Sequence, residues 1–176
     1  MAAVAAHTYP DSVERAVDVL AECFRSGHGL LVFGNGGSSA DAQHFTAELV
    51  GRFSTDRPPF RAIALTTNQA ILTAWSNDHS FDDVFARQVE ALGRPGDVAM
   101  GISTSGHSLN VINGLRRAGE RGLTRIALTG RGGGALAAEC DVLLAVPLDA
   151  TSDVQEAHLV TYHAVCVALE SRLLTT

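Results

Sequence analysis

Residues 30–50 read LLVFGNGGSSADAQHFTAELV: an apolar run ending on glycine, a turn rich in glycine and serine, then a stretch with helical spacing. A strand that enters such a turn and leaves it as a helix opens a β-loop-α unit. The turn can aim several N–H groups and hydroxyls at an anion. It is neither GxGxxG nor a Walker loop, because it lacks the third glycine of the one and the Gly-Lys-Ser/Thr of the other, so a nucleotide is not favoured. Plain chain reversal is the simpler use of the same glycines.

Outward from this unit, apolar runs recur at 62–65, 98–102, 125–128 and 142–146, each bounded by Gly, Pro, Asp or Thr. With 30–33 they predict five strands, mostly buried on both faces. Helical spacing fills the intervals at 38–51, 68–75, 81–92, 108–121 and 133–139, and further helices at 11–26 and 153–173 bracket the unit. Such alternation predicts a parallel sheet with right-handed crossovers, an α/β chain built as a three-layer α/β/α sandwich. No linker or repeat interrupts it. Arg57-Pro58-Pro59 reads as a loop approaching the second strand, so a single domain over 1–176 is expected.

A chain of 176 residues can bury a core without disulfide or metal staples, and 46% apolar with 18% charged residues excludes disorder. The net charge of −6, with no cluster of Lys or Arg, argues against nucleic acid as a partner. An anionic ligand must then be held by local devices. The three cysteines, Cys23, Cys140 and Cys166, show no CxxC spacing and read as buried, reduced thiols. The start MAAVAAHTYP lacks the features of a signal peptide and no run is long enough to span a bilayer, so no membrane association and a cytoplasmic location are expected. His7 and His28 read as surface residues.

A second polar loop, Ser103-Thr104-Ser105-Gly106-His107-Ser108, follows the third strand and precedes a helix. Its hydroxyls form an uncharged anion cradle. In an open parallel sheet, ligands gather at the carboxyl ends of the strands where chain order reverses. If strands one and three are neighbours, both loops border one crevice. Ser108 could instead simply cap the next helix.

His44 and Glu48 stand one helical turn apart on one face. Gln155, His158 and His163 lie on the last helix, with Gln155 and His163 close to two turns apart. Singly, the first pair reads as a solvated surface pair, and a histidine among Tyr162, Ala164 and Val165 as a core residue. Together, His44, Glu48, Gln155 and His163 could ligate a divalent metal such as zinc, with Glu48 or His163 alternatively carrying protons. Asp78, in a loop Asn77-Asp78-His79, could accept from sugar hydroxyls or simply form a turn. His79 and His107 have no assigned role.

Five blocks in order, GNGGSSADAQHFTAEL at 34–49, SND at 76–78, GDVAMGISTSGHS at 96–108, LTGRGGG at 128–134 and QEAHLVTYH at 155–163, resemble the sugar isomerase (SIS) domain family and, within it, the phosphoheptose isomerases. The resemblance extends from about Val17 to Leu173. It implies a flavodoxin-like five-stranded sheet with strands one and three adjacent and a sugar phosphate across their ends. It carries the phosphate role onto Ser103, Thr104, Ser105 and Ser108, and substrate contacts onto Asn35, Gly36, Gly37, Ser38, Asp78 and Gln155. It implies one zinc ion held by His44, Glu48, Gln155 and His163, with Glu48 as base and His163 as acid in an enediol(ate) proton transfer. A homotetramer, or a dimer, with active sites between subunits is also implied.

Two departures are visible. Many relatives have Arg-Ile-Gln-Glu where this chain has Asp153-Val154-Gln155-Glu156, which reverses a charge at the mouth of the site. The chain is also expected to lack the first helix with which those enzymes begin. A non-catalytic SIS module, such as the replication-initiator-binding relatives, is the alternative reading, and an isomerase for a different sugar phosphate is a third. Retention of both Glu48 and His163 favours the enzyme, since a binding scaffold has no chemical need for the pair.

Overall fold

The computed structural model describes residues 9–174; His7 and both ends of the domain expected over 1–176 lie outside them. The order is α1 (Tyr9–Arg25), β1 (Leu30–Gly34), α2 (Gly37–Val50), β2 (Ala62–Ala64), α3 (Gln69–Asp78), α4 (Val84–Leu92), β3 (Val98–Ser103), α5 (Leu109–Glu120), β4 (Thr124–Thr129), β5 (Val142–Ala145) and α6 (Thr151–Leu174). The stretch expected as a helix near 133–139 is a 3-10 segment, Gly134–Glu139. The strands form one parallel sheet in the order β2-β1-β3-β4-β5, a flavodoxin-like arrangement.

Alternation along the strands sorts side chains onto two faces. Leu30 and Val32 of β1, with Met100 and Ile102 of β3, join a core under α1, α2 and α6 that includes Leu20, Phe45, Leu49, Tyr162 and Leu169. Leu31 and Phe33 point the other way, into a core with Phe85, Val89, Val111 and Leu115 from α4 and α5. Because β1 and β3 are buried along their whole length, the hydrophobic runs of the sequence are continuous there rather than alternating.

Two local expectations change. Asn77 and Asp78, expected in a loop, complete the last turn of α3, where the His79 N–H caps the Trp75 carbonyl at 2.9 Å and the two rings stack at 3.9 Å. Aromatic stacking across that turn carries the helix further than its polar composition indicates. His28 is half-buried, 3.8 Å from the buried Asp97 carboxylate. Cys23 and Cys166 are buried free thiols, pushed up by burial to about 11 and about 12, and Cys140 is a half-buried one.

Candidate active site

Pairing of Gly34 with Ile102 sets the loops after β1 and β3 side by side at the carboxyl edge of the sheet. Asn35 and Asn110 exchange reciprocal amide hydrogen bonds, each 2.8 Å, and so stitch the first loop to the start of α5. The Asn35 side chain is thus committed to Asn110. Ser38 is buried at the start of α2. In the second loop, the Ser103 and Ser108 hydroxyls lie 3.1 Å apart and the Gly106 N–H donates to Ser103 Oγ at 3.2 Å. Ser108 occupies the N-cap position of α5 but its side chain makes no capping bond. The capping role for Ser108 therefore fails, and its hydroxyl faces Ser103 instead. Gly106 has φ +68, and a Cβ there would strike the Gly133 carbonyl, so only glycine lets the loop after β4, residues 130–133, close against the second.

A second cluster sits between α2 and α6. One ring nitrogen from each of His44 and His163 and one Glu48 oxygen lie within 4.8 Å of one another. His44 Nε2 is 2.9 Å from Glu48 Oε1. On its other side, His44 Nδ1 is 3.0 Å from the Tyr162 hydroxyl, which in turn lies 3.5 Å from Asp41 Oδ1. Burial raises the Asp41 carboxyl above the usual carboxylate range and the Tyr162 phenol above its own. Helical spacing explains the local part of this arrangement: Asp41, His44 and Glu48 recur on one face of α2.

Beneath the cluster, Glu170 anchors the segment after α2. Its carboxylate accepts the N–H groups of Phe53, Ser54 and Thr55, the Ser54 hydroxyl and, at 3.1 Å, Arg57 Nε. Burial opposes the charge, but these donors outweigh it and hold the carboxyl at about 2. The same Arg57 donates to the Glu48 and Leu49 carbonyls, each at 2.9 Å, satisfying the exposed end of α2. The Phe53 ring lies 5.2 Å from the His163 ring.

Other expected residues stand apart. The Gln155 amide packs against Gly37, so closely that a Cβ at that glycine would collide with it. Eight positions of α6 separate it from His163, about 12 Å along the axis. Within one chain, Gln155 therefore borders the glycine loop, and His44, Glu48 and His163 form the metal-competent set. Asp78 is exposed at the far end of α3, accepting from Asn77 Nδ2 at 2.8 Å. Asp153 is exposed in the first turn of α6. His158 is fully buried, and burial drives it down to about 4 against the opposing pull of the Thr129 backbone.

The donor set suits a divalent cation. Two imidazoles and a carboxylate are zinc-type ligands, and His163 Nε2 is buried with no hydrogen-bond partner, an orphaned atom that a cation would satisfy.

Asp41, Tyr162, Asn110, Arg57 and Glu170 were not singled out in the sequence. Asp41 stands one turn before His44 and Tyr162 next to His163, so a search of the positions flanking the candidate histidines finds both. The rest carry no local signal, since their partners lie far away in the chain.

Uncharged anion donors at the strand ends, together with a carboxylate and imidazoles between α2 and α6, are the groups a phosphosugar isomerase needs, and the fold and site point to that class. The chain belongs to the SIS domain family, whose model matches residues 2–130. It is 52% identical over 163 residues to the phosphoheptose isomerase of Bradyrhizobium sp. (strain ORS 278), covering 93% of this chain and 82% of that protein. It is 53% identical over 161 residues to that of Geotalea daltonii, covering 92% and 84%. The solved phosphoheptose isomerase of Neisseria gonorrhoeae superposes with a TM-score of 0.86 at 47% identity, covering 92% of this chain and 86% of that one. That of Francisella tularensis gives 0.90 at 38%, covering 94% and 88%. The sugar isomerase domain of an RpiR transcription factor from Sphaerobacter thermophilus, at 21% identity, shares the fold alone.

Proposed function

We propose that this protein is a phosphoheptose isomerase, interconverting sedoheptulose 7-phosphate and D-glycero-D-manno-heptose 7-phosphate. The observation that carries the reading is the convergence of Glu48 and His163, from helices distant in sequence, with His44 within 4.8 Å. Ser103, Thr104, Ser105 and Ser108, with the backbone of Gly36 and Gly37, hold the phosphate and sugar by neutral donors, as the acidic chain requires. Glu48 takes the C1 proton of the ketose while His163 protonates O2, giving an enediol(ate). Glu48 then returns the proton to C2 as His163 accepts the one on O1. His44, Glu48 and His163 would hold zinc, with Gln155 at the loop side of the site. Bound there, zinc supplies Lewis-acid polarisation of the reacting oxygens. Glu48 serves as ligand and base, and the two tasks compete for the same lone pairs.

Homo-oligomerisation is proposed through α1 and α6. A cavity of about 380 Å³ between them is lined by Tyr9, Pro10, Val13, Val17, Val160 and Ala164, an apolar surface suited to another subunit. Asp78, remote within the chain, would then serve a site between subunits. Among the described residues no helix is long and apolar enough to cross a membrane; a cytoplasmic location is proposed for the isomerase.

Aldose formation from five-, six- and seven-carbon ketose phosphates, with zinc and with a chelator, tests the reading. Turnover restricted to the heptose is expected. Equal rates for all three would defeat the heptose assignment, and no turnover under any metal condition would favour the non-catalytic binder.

A further inference from the structure

Tyr162 and Asp41 play no part in the reaction as described, yet they are placed to control one of its groups. Tyr162 is 1% exposed, and its ring is wedged between Phe45, His44 and His163 at centroid distances of 5.6, 5.4 and 5.1 Å. The hydroxyl is thereby held 3.0 Å from His44 Nδ1 and 3.5 Å from Asp41 Oδ1. Asp41 Oδ2 is buried and without a hydrogen-bond partner.

A tyrosine hydroxyl carries one proton, and a neutral imidazole carries one between its two nitrogens. Only two arrangements therefore satisfy the row. Either Tyr162 donates to His44 Nδ1, leaving the proton on Nε2 to donate to Glu48 Oε1 at 2.9 Å and Asp41 without that donor, or Tyr162 donates to Asp41 and accepts from His44 Nδ1–H. The second gives the buried carboxylate its donor and turns the Nε2 lone pair toward Glu48 Oε1, two acceptors 2.9 Å apart that are both satisfied once a cation lies between them.

We infer that Asp41 and Tyr162 act together as positioning residues that hold His44 in the Nδ1–H tautomer when a divalent cation replaces the proton between Nε2 and Glu48. The inference rests on the metal-competent reading of His44, Glu48 and His163. It adds that Tyr162, through its hydroxyl rather than its ring, orients a ligand it never shares with the cation. Outer partners of this kind commonly change metal affinity roughly 10- to 100-fold.

The test is zinc affinity, by competition with a chromophoric chelator, for the intact wild-type protein, Tyr162→Phe, Asp41→Asn and the double variant. Two-bond proton–nitrogen NMR of the zinc-loaded wild type reads the His44 tautomer. Each single variant is expected to bind zinc roughly 10- to 100-fold more weakly, the double variant no worse than Tyr162→Phe, and Tyr162→Phe to keep its zinc-free melting temperature because the ring packing remains. The Nδ1–H form is expected in the spectrum. Wild-type binding with Tyr162→Phe within twofold of it, or an Nε2–H signal, overturns this inference alone. Failure of the wild type itself to bind removes the metal-centre reading and this inference together.

Discussion

Glu48 Oε1 lies 2.9 Å from His44 Nε2, one turn before it on the same helix, a separation at which a proton or a cation between the two holds the carboxylate proposed as base. The contact restricts the Glu48 rotamer and aims the carboxylate at the gap between α2 and α6. Glu48→Gln keeps the shape and removes the charge. We expect kcat to fall roughly 10²- to 10⁴-fold with little change in phosphate binding. Steady-state isomerisation of sedoheptulose 7-phosphate checks this, and near wild-type turnover would exclude Glu48 as base.

Ser108→Ala separates binding from capping. Its hydroxyl meets Ser103 and makes no cap, so the substitution should spare stability, whereas loss of a capping serine costs about 1 kcal/mol. A hydrogen bond to a charged phosphate contributes about 1.5–3 kcal/mol, so KM should rise roughly 10- to 100-fold. Thermal melting and KM measured on one preparation decide the matter; a lowered melting temperature with unchanged KM would restore the capping role.

Glu170→Gln should destabilise the fold and slow turnover together. The carboxylate gathers the 53–55 backbone and Arg57, and Arg57 in turn holds the Glu48 carbonyl. Disrupting a buried pair from one side typically costs about 3–5 kcal/mol. Urea denaturation should show a lower midpoint at unchanged slope. Wild-type stability would mean that the segment after α2 is held by other contacts.

Acid should weaken the protein in two windows. His158 titrates near 4 when folded against an ordinary 6.5, so it binds its proton more readily unfolded; stability present above 6.5 is lost as pH falls toward 4. Its contribution is on the order of 3 kcal/mol at neutral pH. Glu170, depressed from 4.5 to about 2, adds a second loss as pH falls from 4.5 to 2. Melting temperature against pH should lose only the upper window in His158→Leu, and an unaltered profile would show that His158 does not titrate as its burial requires.

Residues 30–50 and the strands that follow disclosed the architecture because periodicity and turn composition are local properties. A run such as 98–102 is apolar because both of its faces are covered, and the loops after β1 and β3 hold glycine and serine where backbone and hydroxyls must reach outward. His44 and Glu48 could be placed on one face of a helix by spacing alone, Gln155 and His163 two turns apart on another, and the family resemblance added the separate roles of base and acid. Spacing failed at the end of α3, where stacking of Trp75 on His79 extended a helix through polar residues.

The remaining features depend on how α2 and α6 lie against each other. Tyr162 meets Asp41 and His44, Glu170 meets Arg57, and Gln155 meets Gly37, each across more than a hundred residues of chain. Local patterning states which face of a helix is buried, but not its height or crossing angle against a neighbour. Those are set by the interlocking of whole side-chain surfaces. The sequence by itself therefore determined the sheet, the loops and the chemical types at the site, whereas tertiary packing decided which of those groups share a hydrogen bond.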